Sequence, residues 1–137
     1  MEPCCPAMDT RAPELQDVVL VVEDEPFTRL MAADALAKSG LAVLEAVCAD
    51  DALRILEAQA DVRAVLTDVE MPGSLDGLAL ARRIGERWPS IGVVVTSGKT
   101  CYAGSVPRGS KFLSKPYAGP ELVRHIREVT AAANADP

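Results

Sequence analysis

Residues 18–22 read Val-Val-Leu-Val-Val, an apolar run dominated by β-branched residues, with no polar position anywhere in it. A strand made of it can give neither face to water, so it belongs at the centre of a parallel sheet covered on both sides. Such a sheet needs helices for both faces, and the chain supplies them in alternation. Phe27 to Ser39 carries apolar residues at helical spacing through Phe27, Leu30, Met31 and Ala35, and Gly40 ends it. Leu41 to Val47 is a second strand, after which Asp50-Asp51 are expected to cap a helix bearing Ala52, Leu53, Ile55 and Leu56 to about Gln59. Asp61 to Arg63 lead into a third strand, Ala64 to Thr67, which ends in Asp68 and the turn signal Met71-Pro72-Gly73.

The same alternation continues to the C-terminus. Gly77 to Trp88 places Leu78, Ala81, Ile84 and Trp88 on one helical face and closes at Pro89, and Ile91 to Val95 is a fourth strand. Beyond Ser97-Gly98, the breakers Gly104, Pro107 and Gly109 leave room for one turn or an irregular loop. Lys111 to Leu113 is a short fifth strand, and Pro120 opens a last helix with Leu122, Val123, Ile126 and Val129. Five strands alternating with helices imply an α/β fold, a doubly wound (βα)5 parallel sheet of flavodoxin-like type. Its expected strand order is 2-1-3-4-5, with a shortened or irregular fourth helix. Residues 1–16 read as a flexible N-terminal extension, 17–133 as the domain and 134–137 as a frayed end.

At 137 residues the chain holds one domain, large enough to bury a core without metal or disulfide staples. A net charge of −6 argues against nucleic acid or an anionic membrane as a direct partner. Cys4, Cys5, Cys48 and Cys101 form no CxxC pair or zinc spacing, and the single His125 is remote from them in sequence, so free thiols in a reducing compartment are expected. No stretch has the length of a membrane span or the pattern of a secretory leader, which leaves a cytoplasmic location as the expectation.

Function is written at the strand ends. In an open parallel sheet, ligands bind at the carboxyl edge, and the switch point of this strand order lies between strands one and three. Strand one ends in Glu23-Asp24-Glu25-Pro26, strand three in Asp68, strand four in Ser97 and strand five in Lys115. Asp24 and Asp68 should therefore face each other. A cluster of acids is costly unless something positive offsets it, although acids beside Pro26 also suit a helix N-terminus.

The acidic pair, Asp68 followed by Met71-Pro72, the hydroxyl-plus-small pair Ser97-Gly98 and Lys115-Pro116 together resemble a response-regulator receiver domain, over roughly Asp17 to Ala133. The resemblance implies Mg2+ held by Asp24 and Asp68, with Glu23 through water and the backbone carbonyl of Glu70 as a further ligand. Oxygen ligands of this kind suit that ion. It implies Asp68 as phospho-acceptor, with Ser97 and Lys115 holding the phosphoryl oxygens. Phe112, three residues before Lys115, stands where relatives carry an aromatic that moves with the hydroxyl residue on activation.

The implied partners are a histidine kinase or a histidine phosphotransfer protein, docking at the first helix and nearby loops, and a downstream protein target, no output domain being expected to follow. Glu23 stands where most relatives have Asp, Gly73 to Gly77 forms a longer loop than usual, and the segment from Ser97 to Lys115 is shorter. Gly73 and Gly77 are read as turn glycines. A salt bridge between Glu70 and Lys99, at positions that flank the phosphoryl group in the resembled family, is expected to screen the attacking water and prolong the phosphorylated state. Two alternatives remain. One is an interaction module of the same fold that is never phosphorylated, against which the four site residues argue. The other is a small Mg2+-dependent phosphohydrolase, for which Glu70 sits at the offset of a second acid.

Overall fold

A computed structural model of the chain describes residues 17–73 and 75–135. The expectations for residues 1–16, Ser74 and 136–137 lie outside those residues. Five strands, β1 (Val18–Val22), β2 (Ala42–Ala46), β3 (Val62–Asp68), β4 (Gly92–Ser97) and β5 (Lys111–Ser114), form one parallel sheet in the order β2-β1-β3-β4-β5. The helices are α1 (Pro26–Lys38), α2 (Ala49–Ala58), α3 (Gly77–Arg87) and α4 (Gly119–Ala135). Where a fourth crossover helix would come, between β4 and β5, there is a 3-10 turn at Thr100–Ser105 with no buried residue.

The Val18–Val22 run sits where its composition demands, between β2 and β3, and its residues alternate between two cores. Val19 and Val21 join Ala64, Leu66, Val94 and Leu113 beneath α1 and α4, through Leu36, Leu122, Ile126 and Val129. Leu20 and Val22 join Val65, Val93 and Val95 beneath α2 and α3, through Leu56, Leu78, Leu80 and Ile84. Side chains on a strand alternate sides, so an all-apolar strand fills both layers.

Several local expectations give way to the structure. On α1 the buried residues are Ala32, Ala33 and Leu36, whereas Phe27, Leu30 and Met31 are 67%, 60% and 52% exposed. The apolar residues that marked the helix thus lie largely on its outer face, and the small Ala32 and Ala33 with Leu36 meet the sheet. Asp50 and Asp51 do not cap α2. Cys48 holds the N-cap without a side-chain bond, and Asp51, within the first turn, accepts the Val47 N–H at 3.2 Å. Strand β3 begins at Val62, inside the expected lead-in, and β4 runs on to Ser97. The last helix continues to Ala135, past the expected domain edge.

Gly73 is a turn glycine with φ of 106°, but Gly77 is not. A β-carbon at Gly77 would run into the carbonyl of Asp68, and the Gly77 N–H donates to the Val69 carbonyl at 2.9 Å. Its role is to let the start of α3 press against the end of β3. Among the described residues no helix is long and apolar enough to cross a membrane.

Candidate functional site

The acidic run after β1 separates into three tasks. Glu25 is the N-cap of α1, with its carboxylate accepting the Thr28 N–H and hydroxyl, each at 2.7 Å, and the Phe27 N–H at 3.3 Å. The Thr28 hydroxyl bond, foremost, holds its pKa below the ordinary value. Glu23 is buried, and the ladder continues through it because its N–H donates to the Ala46 carbonyl. Its Oε1 pairs with Lys115 Nζ at 3.0 Å and its Oε2 accepts the Glu25 N–H at 3.1 Å. Asp24 remains exposed at the mouth of a cleft lined by Val69, Glu70, Met71, Asp76 and Tyr102. Arg29 anchors this corner by donating to the Glu23 carbonyl at 2.9 Å and pairing with Glu45 at 3.0 Å.

Asp68 closes β3, opposite Thr96 in the register, and the next residue is tied across by the Val69 N–H to the Thr96 carbonyl at 2.9 Å. Its Oδ2 lies 3.4 Å from Lys115 Nζ, while its Oδ1 is buried with no hydrogen-bond partner. Burial pushes the Asp68 carboxyl up to about 6, with the charges of Glu23 and Glu70 adding to the rise and Lys115 opposing it. Burial alone would lower the Lys115 ammonium, but its bonds and charge contacts with Glu23 and Asp68 outweigh that and raise it. Lys115 reaches the acids because its N–H donates to the Ser97 carbonyl at 2.9 Å, extending the β4–β5 ladder past the strand end.

Carboxylate oxygens of Glu23, Asp24 and Asp68 lie within 4.8 Å of one another. Three carboxylates beside one ammonium leave an excess of negative charge, and one buried carboxylate oxygen has nothing to accept from. A hard dication with oxygen preference answers both, so the residues fit Mg2+. Glu23 enters with one of its oxygens already committed to Lys115, a constraint that the sequence did not reveal.

Ser97, fully buried, ends β4. Its hydroxyl donates to the carboxylate of Glu70, with both oxygens at 3.1 Å, and accepts the Lys99 N–H at 3.0 Å. This replaces the expected Glu70–Lys99 salt bridge: the carboxylate of Glu70 is turned to the hydroxyl, and Lys99 contributes its backbone. Phe112 lies on β5 opposite Val95, half-exposed on the sheet face that carries the 3-10 turn. An aromatic residue that does line the cleft with Asp24 is Tyr102 of that turn, which packs on the α2–α3 core. Sequence reading missed Tyr102, since it falls in a segment without periodicity.

The family model of the response regulator receiver domain matches residues 19–127. The response regulator receiver protein CpdR of Brucella abortus is 32% identical over 119 residues, spanning 84% of this chain and 98% of that protein. The hydrogenase transcriptional regulatory protein HoxA of Cupriavidus necator is 35% identical over 125 residues, a match to 85% of this chain and 25% of that protein. Among solved structures, the receiver domain of NtrX from Brucella abortus superposes with a TM-score of 0.76 at 34% identity, covering 82% of this chain and 98% of that one.

Proposed function

Since the chain belongs to the response regulator receiver domain family, the phospho-accepting module of two-component signalling, we propose that Asp68 is its phospho-acceptor and that Glu23, Asp24, Ser97 and Lys115 serve that residue. The observation that carries this reading is the convergence on Asp68: a buried carboxylate with one unpartnered oxygen, a lysine on the other, and two further acids alongside.

In the transfer, a carboxylate oxygen of Asp68 attacks the phosphorus of a phosphohistidine. The P–N bond breaks with its electron pair left on the imidazole, and an acyl phosphate forms on Asp68. Asp24, Asp68 and the Glu70 carbonyl, with Glu23 through water, would hold Mg2+, which would supply charge neutralisation for that exchange. Lys115 offers the phosphoryl group a cation already aimed at Asp68, and Glu23 keeps that ammonium oriented and charged. Ser97 is one strand over and can donate its hydroxyl once free of Glu70.

The phosphoryl donor is a histidine kinase or histidine phosphotransfer protein. Its landing surface is the outer face of α1, where Phe27, Leu30 and Met31 are exposed and Phe27 and Met31 line a groove with Lys115, Pro116 and Tyr117. The signal leaves through contacts with a downstream protein, and Phe112 and Ser97 take part in that switch. The phosphohydrolase alternative needs Glu70 as a second acid at the reacting centre, and its carboxylate is engaged by Ser97 instead.

Incubation with a small acyl-phosphate donor and Mg2+, read by intact mass, should add one phosphoryl group to the wild type and none to Asp68→Asn. Continuous turnover of a phosphomonoester, or an adduct that survives in Asp68→Asn, would overturn the assignment.

A further inference from the structure

We propose that the carboxylate of Glu70 is a latch on the Ser97 hydroxyl, and that its release couples phosphorylation of Asp68 to the 3-10 turn at Thr100–Ser105. This rests on Asp68 being the phospho-acceptor. A serine hydroxyl has one proton to give and two lone pairs to receive with. In the structure the proton is directed at Glu70, whose oxygens both lie at 3.1 Å, and the Lys99 N–H occupies a lone pair at 3.0 Å. A phosphoryl group on Asp68 brings only acceptors and further negative charge. Two anions then compete for a single donor. Ser97 is fully buried, so it has no water to share between them, whereas Glu70 is exposed and recovers hydration when it lets go. The added charge also repels Glu70 directly, which favours exchange of partners.

The consequence travels through the backbone. Turning the hydroxyl away from Glu70 moves the lone pair that holds the Lys99 N–H. Lys99 is the N-cap of the 3-10 turn, and its carbonyl accepts the Tyr102 N–H at 3.4 Å. No residue of that turn is fully buried, its core contact being made by Tyr102, which also stands at the cleft beside Asp24 and Glu70. Glu70 is thus a positioning residue: it acts through Ser97, and the element it controls is the one that replaces a full helix here.

The test uses the whole chain, isotope-labelled, as wild type, Glu70→Ala and Glu70→Gln, each also with Ser97→Ala. Intact mass after treatment with a small acyl-phosphate donor and Mg2+ first establishes the adduct in the wild type; without it the functional reading fails, whatever Glu70 does. Amide resonances of Lys99 to Tyr102 are then compared before and after treatment. In untreated Glu70→Ala they should move toward the phosphorylated wild-type positions, with the released arrangement about fivefold more populated, the scale of one lost hydrogen bond. Glu70→Gln should stay near the wild type, because its amide oxygen accepts from the same hydroxyl. In the Ser97→Ala background the Glu70→Ala shift should vanish. Wild-type resonances in untreated Glu70→Ala, an equal shift in Glu70→Gln, or a shift that persists without Ser97 would each overturn the latch.

Discussion

Single residues at this site are constrained by what lies within a few ångströms, and Gly77 shows how hidden such a constraint can be. In sequence it stands in a run of turn-forming residues, yet the structure uses its missing side chain to bring α3 against the Asp68 carbonyl. Gly77→Ala should cost at least about 2 kcal/mol in urea unfolding, because the clash is with backbone rather than with a side chain able to swing aside. It should also slow phosphorylation of Asp68, since relief requires moving the end of β3. An unchanged midpoint would mean the loop absorbs the methyl without strain. The positions of Asp68, Asp24 and Lys115 were legible because each closes or follows a strand and the strand order predicts where strand ends meet. The Glu23–Lys115 pair and the Glu70–Ser97 bond were not, because they depend on rotamers that residue spacing does not encode.

At the scale of elements, α1 carries the sharpest difference between pattern and packing. All five strands were legible from their apolar runs, but α1 has apolar residues on both sides, and periodicity could not tell which side faces the sheet. The structure buries Leu36 and exposes Leu30 on the same helix. Leu36→Ala should therefore destabilise by about 2–5 kcal/mol, and Leu30→Ala by no more than about 0.5 kcal/mol. If the outer face of α1 receives the phosphodonor protein, Leu30→Ala and Met31→Ala should lower the rate of transfer from that protein. They should leave the rate with a small acyl phosphate unchanged, because neither side chain touches Asp68. Equal loss with both donors would place the defect in the site rather than at the docking surface. The 3-10 turn was foreseen as one turn or an irregular loop in place of a full fourth helix: Gly and Pro announce that a helix fails, but not what aromatic the remaining turn presents.

For the whole molecule, the buried acid at the centre should make stability depend on pH in a direction opposite to most carboxylates. The folded-state pKa of Asp68, about 6, lies above its ordinary 3.8, so between those values the native protein binds more protons than the unfolded chain. Stability from this group is then full below about pH 4 and is lost as pH rises toward 6. Glu25 and Glu128 work the other way, with pKa values held below 4.5, but their contribution is already complete above that pH. In chelated buffer, Asp68→Asn should accordingly exceed the wild type by up to about 3 kcal/mol at pH 7.5, a margin that shrinks toward zero near pH 4. That figure is an upper bound, as Asn also weakens the contact with Lys115. Mg2+ should close most of that gap. At a hundredfold excess over its dissociation constant it should stabilise the wild type by about 2.7 kcal/mol at pH 7.5. At pH 5 protons compete for the same carboxylate, the apparent affinity should fall about tenfold, and about 1.4 kcal/mol of that gain should disappear. Urea unfolding of both proteins, with and without Mg2+ at pH 4, 5 and 7.5, separates these contributions. Equal stabilisation of Asp68→Asn by Mg2+ would place the ion away from Asp68, and a wild-type difference that stays flat from pH 4 to 7.5 would mean that the carboxyl titrates normally. A phosphoryl group placed on Asp68 removes that ionisation altogether, so the modified protein should show neither the pH-dependent margin nor its closure by Mg2+ through the Asp68 carboxylate.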